Sequence, residues 1–190
     1  NIYLVNYSVK GIKTLDELIS LSFYKKTITR NLDTQEYNVK GIYGMNGSGK
    51  SAIVTSADIL RNLLTNPGYL NNPIVQKNLE ELINKKLGEL FISVDFLVNL
   101  NKQENSIPVL MRYMVTISQN SNGKYAISHE KLSCKNACRK SDFMFNVFET
   151  QKGDVISVID EAENPFLKRF LDKTTNLLED NSMCVLFFDK

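Results

Sequence analysis

The sequence predicts an α/β fold of mixed α+β make-up, and three observations carry that reading. A short β-favouring run, Tyr37 to Tyr43, leads through a glycine-rich octapeptide into a stretch from Ser51 to Leu64 that holds neither Gly nor Pro. A second helical stripe follows Pro73, and from Leu90 onward the period shortens to that of strands. With 190 residues, 43% of them hydrophobic, the chain can bury one core, so one domain is the default.

In chain order, Ile2 to Tyr7 alternates apolar and polar residues as an opening strand does, and Leu18 to Phe23 reads as its antiparallel partner across a turn at Gly11 to Glu17. Arg30 to Glu36 is polar and turn-like. The first helix carries Ala52, Ile53, Ala57, Leu60 and Leu64 at helical spacing and ends at the breaker cluster Asn66-Pro67-Gly68. From Pro73, Val75, Leu79, Leu82, Ile83 and Leu87 form one apolar stripe, which predicts a second helix packed against the core. Leu90 to Val98, Val109 to Ser118, Lys124 to Leu132 and Phe143 to Glu149 are β-rich runs separated by turns such as Asn120-Ser121-Asn122-Gly123, the pattern of an antiparallel meander. Asn164-Pro165 should start a further helix bearing Phe166, Leu167, Phe170, Leu171, Leu177 and Leu178.

The octapeptide Gly44-Met45-Asn46-Gly47-Ser48-Gly49-Lys50-Ser51 fills every fixed position of the P-loop template. Gly44, Gly47 and Gly49 allow positive φ and bring backbone N–H groups close to anionic oxygens with no Cβ in the way. The helix that follows points its unsatisfied N–H groups and the positive end of its dipole at the same place. In this arrangement Lys50 reaches the β and γ phosphates and the Ser51 hydroxyl coordinates Mg²⁺.

The inner residues Asn46-Gly47-Ser48-Gly49-Lys50-Ser51 resemble the NGSGKS loop of ABC-type ATPases. Within that class the chain looks most like the stand-alone branch of structural-maintenance-of-chromosomes, RecF-like and bacterial AAA-type ATPases, some of which serve in phage defence. The opening Leu4-Val5-Asn6-Tyr7-Ser8-Val9-Lys10-Gly11-Ile12-Lys13 is similar to the strand, Asn-aromatic step and Lys-rich turn with which those families begin. The resemblance implies a P-loop NTPase fold, the N-terminal lobe of an ABC-like ATPase with an antiparallel β-subdomain. Residues 1–190 would form a partial ATPase domain, with the loop, opening strands and two helices in 1–88, the β-subdomain in 89–160, and a helix and the start of a further segment in 161–190. It implies Mg-ATP held by Gly44, Met45, Asn46, Gly47, Ser48, Gly49, Lys50, Ser51 and Ala52, with Lys50 catalytic. It also implies a head-to-head homodimer with nucleotide between the copies, and a DNA or effector-nuclease partner. Two alternatives stand beside it: a nucleotide-gated binding or scaffold module with little turnover, and a P-loop GTPase or kinase.

Asp154-Val155-Ile156-Ser157-Val158-Ile159-Asp160-Glu161 has the pattern of a Walker B strand, in which Asp160 would hold Mg²⁺ and Glu161 would polarise the attacking water. The same stretch also reads as a β-hairpin turning at Lys152-Gly153-Asp154, and no Leu-Ser-Gly-Gly-like signature precedes it in Lys135 to Asn146. Phe187-Phe188-Asp189-Lys190 repeats the apolar-run-and-Asp pattern but carries Lys where the catalytic Glu should stand. Asn101-Lys102-Gln103-Glu104 departs from the guanine-reading motif of GTPases at its last position. His129-Glu130 pairs the only His with an acid, yet a lone His on a predicted strand is usually structural.

Other features exclude classes of function. A net charge of +2 is too small to mark a nucleic-acid groove by itself, and the scattered Tyr and Phe residues fit a core better than a base-stacking platform. Cys134, Cys138 and Cys184 are odd in number and short of partners for a zinc site, which favours free thiols in a reducing compartment. No apolar run reaches the length that spans a bilayer and no signal-peptide pattern opens the chain, so a cytoplasmic protein without membrane contact is expected. The start at Asn1 and the apolar run at the other end fit a fragment of a longer ATPase whose signature and Walker B lie beyond residue 190.

Overall fold

Short turns decide the architecture, because two strands joined by a few residues can only run antiparallel, whereas parallel neighbours need a crossover of a dozen residues or more. The computed structural model describes residues 2–24, 41–44, 49–98, 108–137, 143–159 and 177–188. The opening pair is β1 (Ile2–Lys10) and β2 (Ile19–Ser22), and two helices follow, α1 (Lys50–Thr65) and α2 (Pro73–Leu82), with a one-turn 3₁₀ helix at Tyr69–Asn71 between them. Then come β3 (Glu89–Val98), β4 (Val109–Gln119), β5 (Tyr125–Asn136), β6 (Phe145–Gln151), β7 (Asp154–Val158) and a short closing helix α3 (Met183–Phe188).

Among the described residues all seven strands join one sheet in the order β2-β1-β3-β4-β5-β6-β7, and every neighbouring pair is antiparallel. The expected α/β P-loop fold, ABC-ATPase-like lobe included, is corrected by this sheet, since a P-loop α/β fold is built on a mainly parallel one. The physical reason lies in two places. The meander from β3 to β7 dominates the described chain, its turns held by devices such as the Asn120 side-chain carbonyl, which accepts from Asn122 N at 3.0 Å and Lys124 N at 3.1 Å. And the run meant to be the strand feeding the loop is not one where it is described: Gly41 to Gly44 has no regular structure, while 37–40 lie outside the described residues.

Period 2 gives the sheet two different faces. Tyr7 and Val9 of β1, Leu90 and Ile92 of β3, Tyr113, Val115 and Ile117 of β4 and Ile127 of β5 share one buried face. Ile53, Ile59, Leu60 and Leu63 of α1, with Leu70, Leu79 and Leu178, complete that core. On the other face one row crosses all seven described strands in register and is polar at every position but Met114: Ser20, Ser8, Ser93, Met114, Lys131, Glu149 and Ser157. The next row holds the bidentate pair Arg112–Asp95, at 2.7 and 2.8 Å.

Most of the predicted elements are found. The helix from Pro73 stops at Leu82 instead of Leu87, because Ile83 leaves helical φ/ψ and joins Ile12 in a β-bridge. The apolar run before Asp189 forms helix α3, so its resemblance to a Walker B strand ends there. The helix predicted from Asn164 lies outside the described residues up to 176, and Leu177 and Leu178 sit in a turn. Among the described residues no helix is long and apolar enough to cross a membrane.

Candidate phosphate-binding site at the start of the first helix

Gly49 takes φ 89° as the residue that caps α1, a left-handed conformation that side chains rarely adopt, and its carbonyl accepts from Ile53 N at 3.2 Å. A Cβ at Gly49 would lie 2.5 Å from Leu15 Cδ2, so the turn between β1 and β2 packs directly on the glycine. That turn is itself fixed. Lys13 N donates to the Leu82 carbonyl at 2.6 Å, Asn84 N to the Gly11 carbonyl at 2.9 Å, and Lys86 pairs with Asp16 at 2.9 Å.

Deeper along α1, Ala52, Ile53 and Ser56 are buried, and Ser56 Oγ donates to the Ile53 carbonyl at 2.7 Å. The Ser56 proton is thereby committed, so the Tyr7 hydroxyl is the donor in its 2.7 Å contact with Ser56 Oγ. Burial pushes the Tyr7 hydroxyl up to about 12, which keeps it a neutral donor across the physiological range. One hydrogen bond and one glycine contact therefore fix where the amino end of α1 points.

What stands at that end suits an anion. The first turn holds no acidic residue and no side chain caps it, so its N–H groups and the dipole face outward unopposed by a carboxylate of their own. Lys50 Nζ donates to the Gly44 carbonyl and ties the two ends of the loop together. Ser51 is exposed in the first turn and Ala52 is buried beneath it. Of the predicted phosphate ligands the structure therefore gathers Gly44, Gly49, Lys50, Ser51 and Ala52, while Met45, Asn46, Gly47 and Ser48 lie outside the described residues. A lysine, a hydroxyl and helix N–H donors fit a phosphate bearing Mg²⁺.

Asp160 and Glu161 lie outside the described residues, but the strand leading to them, β7, pairs antiparallel with β6 through the turn at Lys152 and Gly153. It is the last strand of the sheet, at the opposite edge from the β1–β2 turn on which α1 begins. Asn101 to Glu104 also lies outside the described residues.

Adjacent residues on a strand face opposite ways, and this separates His129 from Glu130. His129 Nε2 meets Glu149 Oε1 at 2.8 Å on the polar face, where Lys131 Nζ holds Glu149 Oε2 at 2.8 Å. Lys131 first and His129 second hold the Glu149 carboxyl below its ordinary range. Glu130 is fully buried on the core side and meets Tyr113, Ser182 and the Met183 N–H. Sequence reasoning read His129 as a structural residue and gave Glu130 no role of its own, and the only signal for the Glu130 network was an acid at an inward position of β5. Cys134 and Cys184 are free thiols, Cys184 raised by burial, and Cys138 lies outside the described residues. Among the described residues no cluster of His, Cys, Asp and Glu could hold a metal ion. No family model matches the chain, and neither a curated protein nor a solved structure matches it.

Proposed function

We propose that this chain binds Mg-ATP at the amino end of α1 and belongs to an ABC-like ATPase, cytoplasmic, that hydrolyses ATP as a head-to-head homodimer in a DNA-related or defence-related process. The observation that carries the reading is the junction itself, where a left-handed Gly49 opens an uncapped, acid-free first turn and Lys50 reaches back to Gly44. The order of residues in Gly44 to Ser51 favours ATP chemistry of that class. Lys50 would move from the Gly44 carbonyl to the β and γ phosphates, and Ser51 would bring its hydroxyl to Mg²⁺. In equilibrium binding, Mg-ATP should compete out labelled nucleotide better than Mg-GTP. Lys50→Ala should weaken binding at least tenfold while leaving the unfolding midpoint nearly unchanged, the loss of one charge-assisted contact. Unchanged affinity in that variant sinks the proposal.

A second reading, a nucleotide-gated scaffold with little turnover, is favoured by the position of β7, which lies at the edge of the sheet opposite the β1–β2 turn on which α1 begins. Phosphate release by the full-length protein, with and without duplex DNA, separates the two. Substantial DNA-stimulated turnover removes the scaffold, and nucleotide binding without turnover removes the ATPase.

A further inference from the structure

Among the described residues Glu130 is the one charged residue at 0% exposure, and none of the ion pairs there engages it. Its partners are hydroxyls and amides. Oε1 lies 2.7 Å from Tyr113 Oη and 2.6 Å from Ser182 Oγ, those two hydroxyls are 3.3 Å apart, and Oε2 accepts from Met183 N at 2.8 Å. Ser182 Oγ also accepts from Cys184 N at 3.0 Å.

This geometry is complete in two protonation states. With Glu130 ionised, Tyr113 and Ser182 both donate to Oε1. With a proton on Oε1, the three groups close a ring in which Glu130 donates to Tyr113, Tyr113 to Ser182 and Ser182 to Glu130, and both amide bonds stay as they are. No donor is stranded by taking up the proton, whereas keeping the charge costs solvation that only neutral dipoles replace. The facing groups are Tyr113 from β4, uncharged Thr150 as the register neighbour on β6, and Cys184 from α3. Burial raises Tyr113 and Cys184 above their usual values, so both are neutral, and burial likewise raises Glu130.

We propose that Glu130 is a proton-operated clamp: taking up a proton, it tightens the hold of the sheet on the segment Leu177–Phe188, and ionising, it loosens it. The segment has work to do there. Its Glu179 carbonyl accepts from Ile127 N at 2.8 Å, Asn181 Oδ1 accepts from Gly68 N just past α1 at 2.5 Å, and Leu178 and Met183 sit in the core with α1. The sign follows from the raised affinity for the proton: stability is gained as pH falls through the folded value and is lost as pH rises through it.

The test is amide exchange of the whole chain, corrected for intrinsic rates, from mildly acidic to mildly basic pH, together with difference infrared spectroscopy of carboxylic C=O groups. Protection of Met183 to Leu186 and of Ile127 should fall with rising pH, by up to about tenfold per unit, the limit for one proton. A protonated-carboxyl band should fade over the same range. Glu130→Gln should lack the band and flatten the slope. Protection that is flat or rises with pH in the wild type overturns the clamp, as does an unaltered slope in the variant. Should Glu130→Gln fail to fold, Ser182→Ala keeps the acid and opens the ring. A shifted band and a displaced pH midpoint then support the clamp, and an unchanged band and midpoint overturn it.

Discussion

At the scale of the residue, the candidate site depends on Gly49 more than on its charged neighbour. At φ 89° with Leu15 against it, Gly49→Ala combines left-handed backbone strain with a side-chain collision. It should cost about 2 kcal/mol, read as a lower urea midpoint at unchanged m-value. Glu149 makes a pH prediction of opposite sign to that of Glu130. Its folded value is depressed by Lys131 and His129, so its contribution is present above the ordinary carboxylate range and is lost as pH falls through the folded value. Glu149→Gln should therefore lower stability by about 1 kcal/mol or less near neutrality, and the gap to the wild type should close on acidification in a pH series of denaturant melts. Residue identities were the most legible layer of the sequence. The octapeptide marked the candidate site without help from the fold, since its glycines, Lys50 and Ser51 fit the template by local order alone. Glu130 was not legible, because its partners Ser182 and Met183 are some fifty positions away and only the folded sheet brings them together.

At the scale of the element, α1 is held by apolar packing along one side and by Tyr7 and Leu15 near its start. Leu63 is 1% exposed at the other end of the helix, far enough along to be outside the candidate phosphate site. Leu63→Ala should cost about 2–5 kcal/mol in chemical unfolding, and nucleotide affinity measured below the transition should hold. A parallel loss of affinity would mean that the helix is less rigid than its packing implies. Most strands and the first two helices were legible because each carries its own period and punctuation, from Asn66-Pro67-Gly68 to Asn120-Ser121-Asn122-Gly123, although α2 ends at Leu82 rather than Leu87 and the Walker-B-like run at Met183–Phe188 is a helix. A third miss is instructive. Tyr37 to Tyr43 was read as a strand from its apolar, β-favouring residues, and Gly41 to Gly44 shows no strand, while 37–40 lie outside the described residues. A short run with few apolar residues carries too little period of its own to fix its structure.

At the scale of the whole molecule, the sequence was read as an α/β core carrying an antiparallel β-subdomain, and the described sheet is antiparallel throughout, so only the meander part of that reading holds. Sheet composition is set by connection lengths, which the turns between β4 and β5 and between β6 and β7 make explicit. Ligand linkage is the global readout of the proposed site. Mg-ATP at one hundred times its dissociation constant should add about 2.7 kcal/mol and raise the thermal midpoint, an effect absent from Lys50→Ala. Gly11 offers a second whole-molecule test, since a Cβ there would lie 1.9 Å from the Glu89 carbonyl oxygen, at the seam between the opening pair and the meander. Gly11→Ala should abolish a single cooperative transition, giving probe-dependent unfolding where the wild type gives coincident curves.

The strand order carries one mechanical consequence. β2 and β3 flank β1 on either side, so the long excursion that contains the loop and both helices departs from one flank of the first strand and returns on the other. Tension on that excursion would reach β1 from both sides at once and load its two ladders together, which makes the first strand of the chain the keystone whose removal would free the helices and the sheet from each other.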